Sequence, residues 1–154
     1  MRYCVQPLLP VWLLDMWLTY AILSAVFAAA TAILAKIGIE KINSNLATAI
    51  RTSFVLIFAW IVVWMQKIEV NWGEISQKTW IFLFLSALAT GLSWLFYFRA
   101  LQLGQASRVA PVDKLSLVLT IIFAGLFLGE KISWQVFIGA LLMTIGTIVI
   151  AVAK

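Results

Sequence analysis

The chain has 154 residues, of which 64% are hydrophobic and 11% charged, and its mean hydropathy is +1.07. A soluble domain carries about 25% charged residues, so these proportions exclude an ordinary soluble enzyme, a disordered protein and a nucleic-acid binder. Eleven Lys and Arg against six Asp and Glu give a net charge of +5, but the cations are scattered rather than gathered into a phosphate-gripping block.

Residues 1–15 contain Pro7 and Pro10 and stand apart from the first helical run as an N-terminal extension. They lack the charged start, long apolar middle and small-residue cleavage site of a signal peptide. Met16 opens the first apolar run, so a start there is an alternative to Met1, and Cys4 would then lie outside the native protein.

A helix needs about 20 apolar residues to cross the hydrocarbon core. Three uncharged runs meet that length outright: 16–35, 79–98 and 132–153. Two more, 52–66 and 115–129, span only by taking in the residues before them; the alternative for such short runs is a re-entrant segment. Spanning brings Arg51 into the second helix and Asp113 with Lys114 into the fourth. The expected fold is all-α, a polytopic membrane bundle occupying 16–154. Its five transmembrane helices fall at about 16–37, 46–66, 79–99, 108–128 and 132–153.

The connectors agree. Gly38 stops the first helix, and Asn43-Ser44-Asn45 supplies N-cap residues for the second. The longest loop holds Asn71, Trp72 and Gly73. Gly104 separates the third helix from the fourth, Ser107 is placed to cap the fourth, and Pro111 falls in its first turns. Gly129-Glu130-Lys131-Ile132-Ser133 turns into the fifth. Trp64, Trp72, Trp80 and Trp134 lie near span ends, as interfacial anchors do.

With five spans the chain ends lie on opposite membrane faces. The face holding the first and third connections and the C-terminus carries seven Lys and Arg, and the other face four. The positive-inside rule therefore predicts a cytoplasmic C-terminus.

Polar residues within spans are the candidates for function. Ser86, Thr90, Ser93 and Tyr97 share one face of the third helix, and Asp113, Ser116 and Thr120 share one face of the fourth. A hydroxyl stripe fits a solute pathway and interhelical hydrogen bonding equally well. Small-residue stripes on the first helix (Ser24, Ala28, Thr31, Ala35) and the fifth (Ala140, Thr144, Thr147, Ala151) read as packing faces. An ionisable group within a span costs about 2.5–3.5 kcal/mol on insertion scales, so it usually faces a cavity or a partner. Arg51 and Lys114 have the competing option of snorkelling to the interface. Asp113 is too short for that, and it is expected to face the interior near a cation such as Arg51, Arg99 or Lys114.

Several motifs together resemble a known family. Leu95-Phe96-Tyr97-Phe98-Arg99-Ala100-Leu101, followed by Gln105-Ala106-Ser107, is similar to the end of the third helix in EamA-type domains of the drug/metabolite transporter superfamily. Leu126-Phe127-Leu128-Gly129-Glu130-Lys131 resembles the family's turn before its last helix, Gly139-Ala140-Leu141 to Gly146 its final-span glycine pattern, and Asn45-Leu46-Ala47 leading to Arg51 its second helix. One departure stands out: a proline common in the middle of the family's fourth helix is replaced here by Leu117, with proline at Pro111 instead.

The resemblance implies a transporter, or a transporter subunit, that moves a small metabolite through the inner (plasma) membrane. Many relatives carry two such units in tandem, so a single unit implies pairing as a homodimer, its polarity open. The expected partners are membrane lipid, a small-molecule substrate and a second copy, with no nucleic acid. The alternative is a non-transporting assembly or helper protein. Without His and with the single Cys4, neither a zinc site nor a Cys–His nucleophile pair can form, so no metal, cofactor or enzymatic activity is expected.

Overall fold

The structure is a computed structural model that describes residues 11–69 and 71–153, with side-chain environments from Met16 onward. Among these residues it is all-α, without strands. Helix α1 is Val11–Gly38, α2 Ser44–Met65, α3 Gln77–Leu103, α4 Ala106–Asp113, α5 Leu115–Phe123 and α6 Trp134–Val152. A short 3-10 turn at Trp72–Glu74 precedes α3, and a π turn at Ala124–Leu128 closes α5. Five segments are long and apolar enough to cross a membrane, the fourth being Ala106–Leu128.

Three boundaries differ from the sequence reading. Helix α1 starts at Val11 rather than Met16, because a lone charge at Asp15 ends an uncharged run without breaking a helix. Helix α3 passes Arg99 and stops only at Gly104, whose N–H bonds the Ala100 carbonyl at 2.8 Å. Ser107 is not the cap of the fourth span. Gln105 occupies that position without a side-chain cap bond, because the extended backbone of Gly104 and Gln105 lets the helix begin two residues earlier. The expected cap at Asn43 forms, its side chain accepting from the Asn45 N–H at 2.8 Å, and Ser133, read only as part of a turn, also caps, its Oγ accepting from the Val136 N–H at 3.4 Å.

The fourth span is jointed. Pro111 removes one backbone donor, and the Lys114 N–H shortens its reach, bonding Pro111 O at 3.0 Å and Ala110 O at 3.3 Å. Leu117 N–H then bonds Lys114 O at 3.0 Å, another three-residue step. The π turn ends at Gly129, whose φ of 67° places it in the left-handed region that favours glycine.

The chain divides into two compact units between Leu34 and Ala35. The first, where described, is α1 up to Leu34, with Trp17, Tyr20, Phe27 and Leu34 exposed as apolar surface for lipid. In the second, α2 packs on α3, α3 on α4, and both α4 and α5 on α6. The covered side of α6 is its small-residue stripe, with Thr147 buried and Ala140 and Thr144 half-buried. Small side chains let backbones approach, which in lipid replaces the hydrophobic drive of soluble packing.

The densest packing in the second unit lies at the end where the first and third connections meet. Ile39, Ala47, Phe98 and Leu101 form a buried cluster, flanked by Ala35, Tyr97, Ala106 and Val109. Two polar ties hold it. Lys36 Nζ donates to the carbonyls of Leu101 and Gly104, the latter at 2.8 Å, and so caps the C-terminus of α3. Gln102 Nε2 donates to the carbonyls of Ile39 and Ile42, at 3.2 and 2.6 Å. At the opposite end Trp72 stacks on Trp80, with ring centroids 6.0 Å apart, and meets Trp60 at 6.2 Å.

Candidate solute site in the second unit

Ser93 and Tyr97, like Phe96 and Ala100, are four residues apart on α3, so together they form one wall of a cavity. Helix α4 supplies the facing wall with Arg108, Val109, Val112 and Asp113, and α6 adds Ala151. The cavity measures about 400 Å³, within the range of ~300–1,000 Å³ usual for small-molecule sites. Its lining is mostly apolar, with two hydroxyls, one carboxylate and one guanidinium. Convergent polar groups in an apolar cleft are what orients a small solute.

The joint at Lys114 sets the local charges. Its ammonium lies 3.5 Å from an Asp113 carboxylate oxygen, and its side chain is half exposed while that of Asp113 is one-third exposed. Adjacent helical residues normally diverge by about 100°, so the pair meets through the long lysine stem rather than through shared direction. Tyr97 interacts electrostatically with Asp113 and with Arg51.

Arg51 belongs to α2 and lies outside the cavity lining. Its guanidinium carbon sits 4.3 Å from the centre of the Trp94 ring and 5.5 Å from that of Phe98. Those two residues are again one turn apart on α3, a face adjacent to that of Tyr97. Nη1 is buried and meets no acceptor among the described residues.

Of the residues singled out from sequence, Ser93, Tyr97 and Asp113 come together in the cavity; Lys114 lies outside its lining against Asp113, and Arg51 outside it against Trp94. Ser86 and Thr90 do not join them. Both are exposed, and Thr90 Oγ1 donates to the Ser86 carbonyl of its own helix at 2.9 Å. Ser116 and Thr120 behave alike, with Thr120 Oγ1 on the Ser116 carbonyl at 2.8 Å. Arg99, named as a possible partner of Asp113, is exposed and donates to Gln102 Oε1 at 3.2 Å.

The sequence reading missed Arg108, which it placed at the start of the fourth helix and weighed only in the charge balance between the two faces. The structure starts α4 at Ala106 and puts Arg108 in the cavity lining beside α3, a proximity that no local signal in the sequence shows. It also missed a shallower groove of about 330 Å³ between α2 and α3, lined by Thr48, Thr52, Ser53 and Gly91 among others. The three hydroxyls of that groove bond carbonyls of their own helix. Among the described residues no group of acidic or cysteine side chains is placed to hold a metal.

Comparison with known proteins agrees with a multi-span transporter fold. The model of the EamA-like transporter family matches residues 15–152. A Sinorhizobium sp. protein described as an uncharacterized transporter in the cobO 3′ region is 50% identical over 141 residues, covering 88% of this chain and 96% of that protein. No solved structure matches.

Proposed function

The chain belongs to the EamA-like transporter family, and we propose that it moves a small metabolite across the membrane through the cavity between α3, α4 and α6. The observation that supports this reading is the convergence of Ser93, Tyr97, Arg108 and Asp113 in one cavity within the spans. A protein serving only as an assembly partner gains nothing from such groups in lipid, where each ionisable residue carries an insertion cost of about 2.5–3.5 kcal/mol.

In this mechanism Lys114 stays beside Asp113, at 3.5 Å, and the pair marks the polar end of the cavity wall. Tyr97 and Ser93 exchange hydrogen bonds with the solute, and Phe96, Val109 and Val112 cover its apolar part. The joint beside Asp113 lets the α4 wall tilt against the continuous α3 wall, which is the kind of hinge alternating access needs.

The membrane is the plasma membrane in this proposal, with the C-terminus cytoplasmic, as the Lys/Arg bias favours. The working unit is a dimer, whose second copy completes the enclosure. The α6 stripe is the covered face within one chain, so the second copy docks elsewhere. Flux measured with purified protein in liposomes tests the proposal. Asp113→Asn should lower the rate or change its pH dependence, and a variant that assembles and transports normally at every pH removes Asp113 from the mechanism.

A further inference from the structure

We propose that the site selects a small organic anion: a solute with an apolar body whose oxyanion group is drawn to Arg51 and Arg108. The inference rests on the transporter reading only for the idea that this ligand is cargo. The charge preference itself comes from the geometry.

The local charges are uneven. Asp113 is the acidic residue of the cavity, and Lys114 already neutralises it at 3.5 Å. Arg51 and Arg108 have no acidic side chain at ion-pair distance among the described residues. The charge left over is therefore positive, and its sources flank the same stretch of α3: Arg51 over Trp94 and Phe98, Arg108 in the cavity with Ser93 and Tyr97. A cationic solute would meet two uncompensated guanidinium groups. An anion would neutralise one or both.

Arg51 is also prepared for a planar oxyanion. Its guanidinium carbon lies over the Trp94 ring at 4.3 Å, a cation–π contact that uses none of its N–H donors. Nη1 is buried without an acceptor, and a buried donor left unpaired is unfavourable until something accepts from it. A carboxylate or phosphate offers the paired oxygens that match this fork. Tyr97, within electrostatic reach of both Arg51 and Asp113, lines the cavity on the same helix as Trp94 and Phe98. The wall of Phe96, Val109 and Val112 then suits an apolar or aromatic body rather than a sugar.

The oxyanion has two conceivable sources, a dissolved solute or the phosphate of an anionic lipid. Binding is measured at equilibrium with the full chain in phosphatidylcholine nanodiscs, using benzoate, benzyl alcohol and benzylamine as probes of matched shape and different charge. Benzoate should bind at least about tenfold more tightly than the other two. Arg51→Gln should cost at least about tenfold in benzoate affinity, Arg51→Lys less, and Lys78→Gln, at the other end of α3, nothing. Equal binding of the three probes, no benzoate binding, or an Arg51→Gln protein with unchanged affinity would overturn the inference. Exchanging the lipid for phosphatidylglycerol should leave benzoate binding intact; its loss would assign the site to a lipid headgroup and overturn the solute reading. Because these measurements need no flux, a protein that binds benzoate selectively yet transports nothing would reject the transporter proposal alone.

Discussion

Replacing Lys36 by Met removes the ammonium and keeps most of the apolar stem. In the structure that ammonium closes the C-terminus of α3 through the Leu101 and Gly104 carbonyls. A hydrogen bond involving a charged group contributes about 1.5–3 kcal/mol net, and a cation at a helix C-terminus about 0.3–1 kcal/mol. The two bonds share one donor group that is only half-buried, so water recovers part of the loss and the contributions do not add. The expected destabilisation is about 2 kcal/mol. For a chain of this size that corresponds to a fall in Tm of roughly 4–8 °C, read by thermal unfolding in mild detergent. Gln102→Leu removes the other tie, two neutral bonds to Ile39 and Ile42, and should cost about 1–2 kcal/mol. Since both side chains hold the same connection against the same helix end, the double variant should depart from additivity by at least about 0.5 kcal/mol. Loss of the ties should also speed tryptic cleavage at Lys41. A Lys36→Met protein melting within about 1 °C of wild type, with unchanged cleavage, would refute the claim that this lysine fastens the first connection.

Further outcomes follow from other positions. Lys67 follows α2 with φ of 52°, its N–H bonding Trp64 O and that of Ile68 bonding Val63 O, a helix end normally closed by glycine. Lys67→Gly should therefore raise stability by about 1 kcal/mol, measured by the same melt. Gly129 has open space around a would-be Cβ but φ of 67°, so Gly129→Ala should lose about 1 kcal/mol through backbone strain alone. Thr147→Leu forces two extra carbons into the covered face of α6 and should cost about 1–3 kcal/mol, whereas Leu142→Met on its exposed side should cost little. Reporter fusions after Ala153 should be active on the cytoplasmic side; equal signals on both sides would replace the charge-bias reading with dual topology.

The five spans were legible because lipid demands a single simple property, length without charge, and the runs around Ala28, Phe84 and Leu142 meet it without help from neighbours. The cap at Asn43 was legible for a similar reason: it acts within two residues. What escaped sequence reasoning depends on partners distant in the chain. Lys36 counted only as a topological charge, yet it works 65 and 68 residues away. The hydroxyls of Ser86, Thr90, Ser116 and Thr120 had the spacing of an interhelical stripe. A four-residue spacing also aligns each hydroxyl with a carbonyl of its own helix, and that nearer acceptor wins at Thr90 and Thr120. Arg108 was hidden because its cavity neighbours on α3 lie across a connection, beyond any local spacing. Asp113 was visible because a short acid inside a span has so few places to go.

The pairing of α4 and α5 with α6 has a consequence for the order of synthesis. The fourth span carries Arg108, Asp113 and Lys114, yet α6, against which both its halves pack, leaves the ribosome only after it. While it passes the insertion machinery it has only α3 and lipid as company, so its charges must be accommodated near the headgroups by local pairing. The Asp113–Lys114 contact supplies that within two adjacent residues, before any tertiary neighbour exists. Helix α6 therefore arrives uncharged from Trp134 to Val152, slides its small-residue face against a span already in place, and draws the cavity wall into position. Loss of α6 during synthesis would leave a chain that is inserted but not yet assembled, with its most polar helix turned toward lipid.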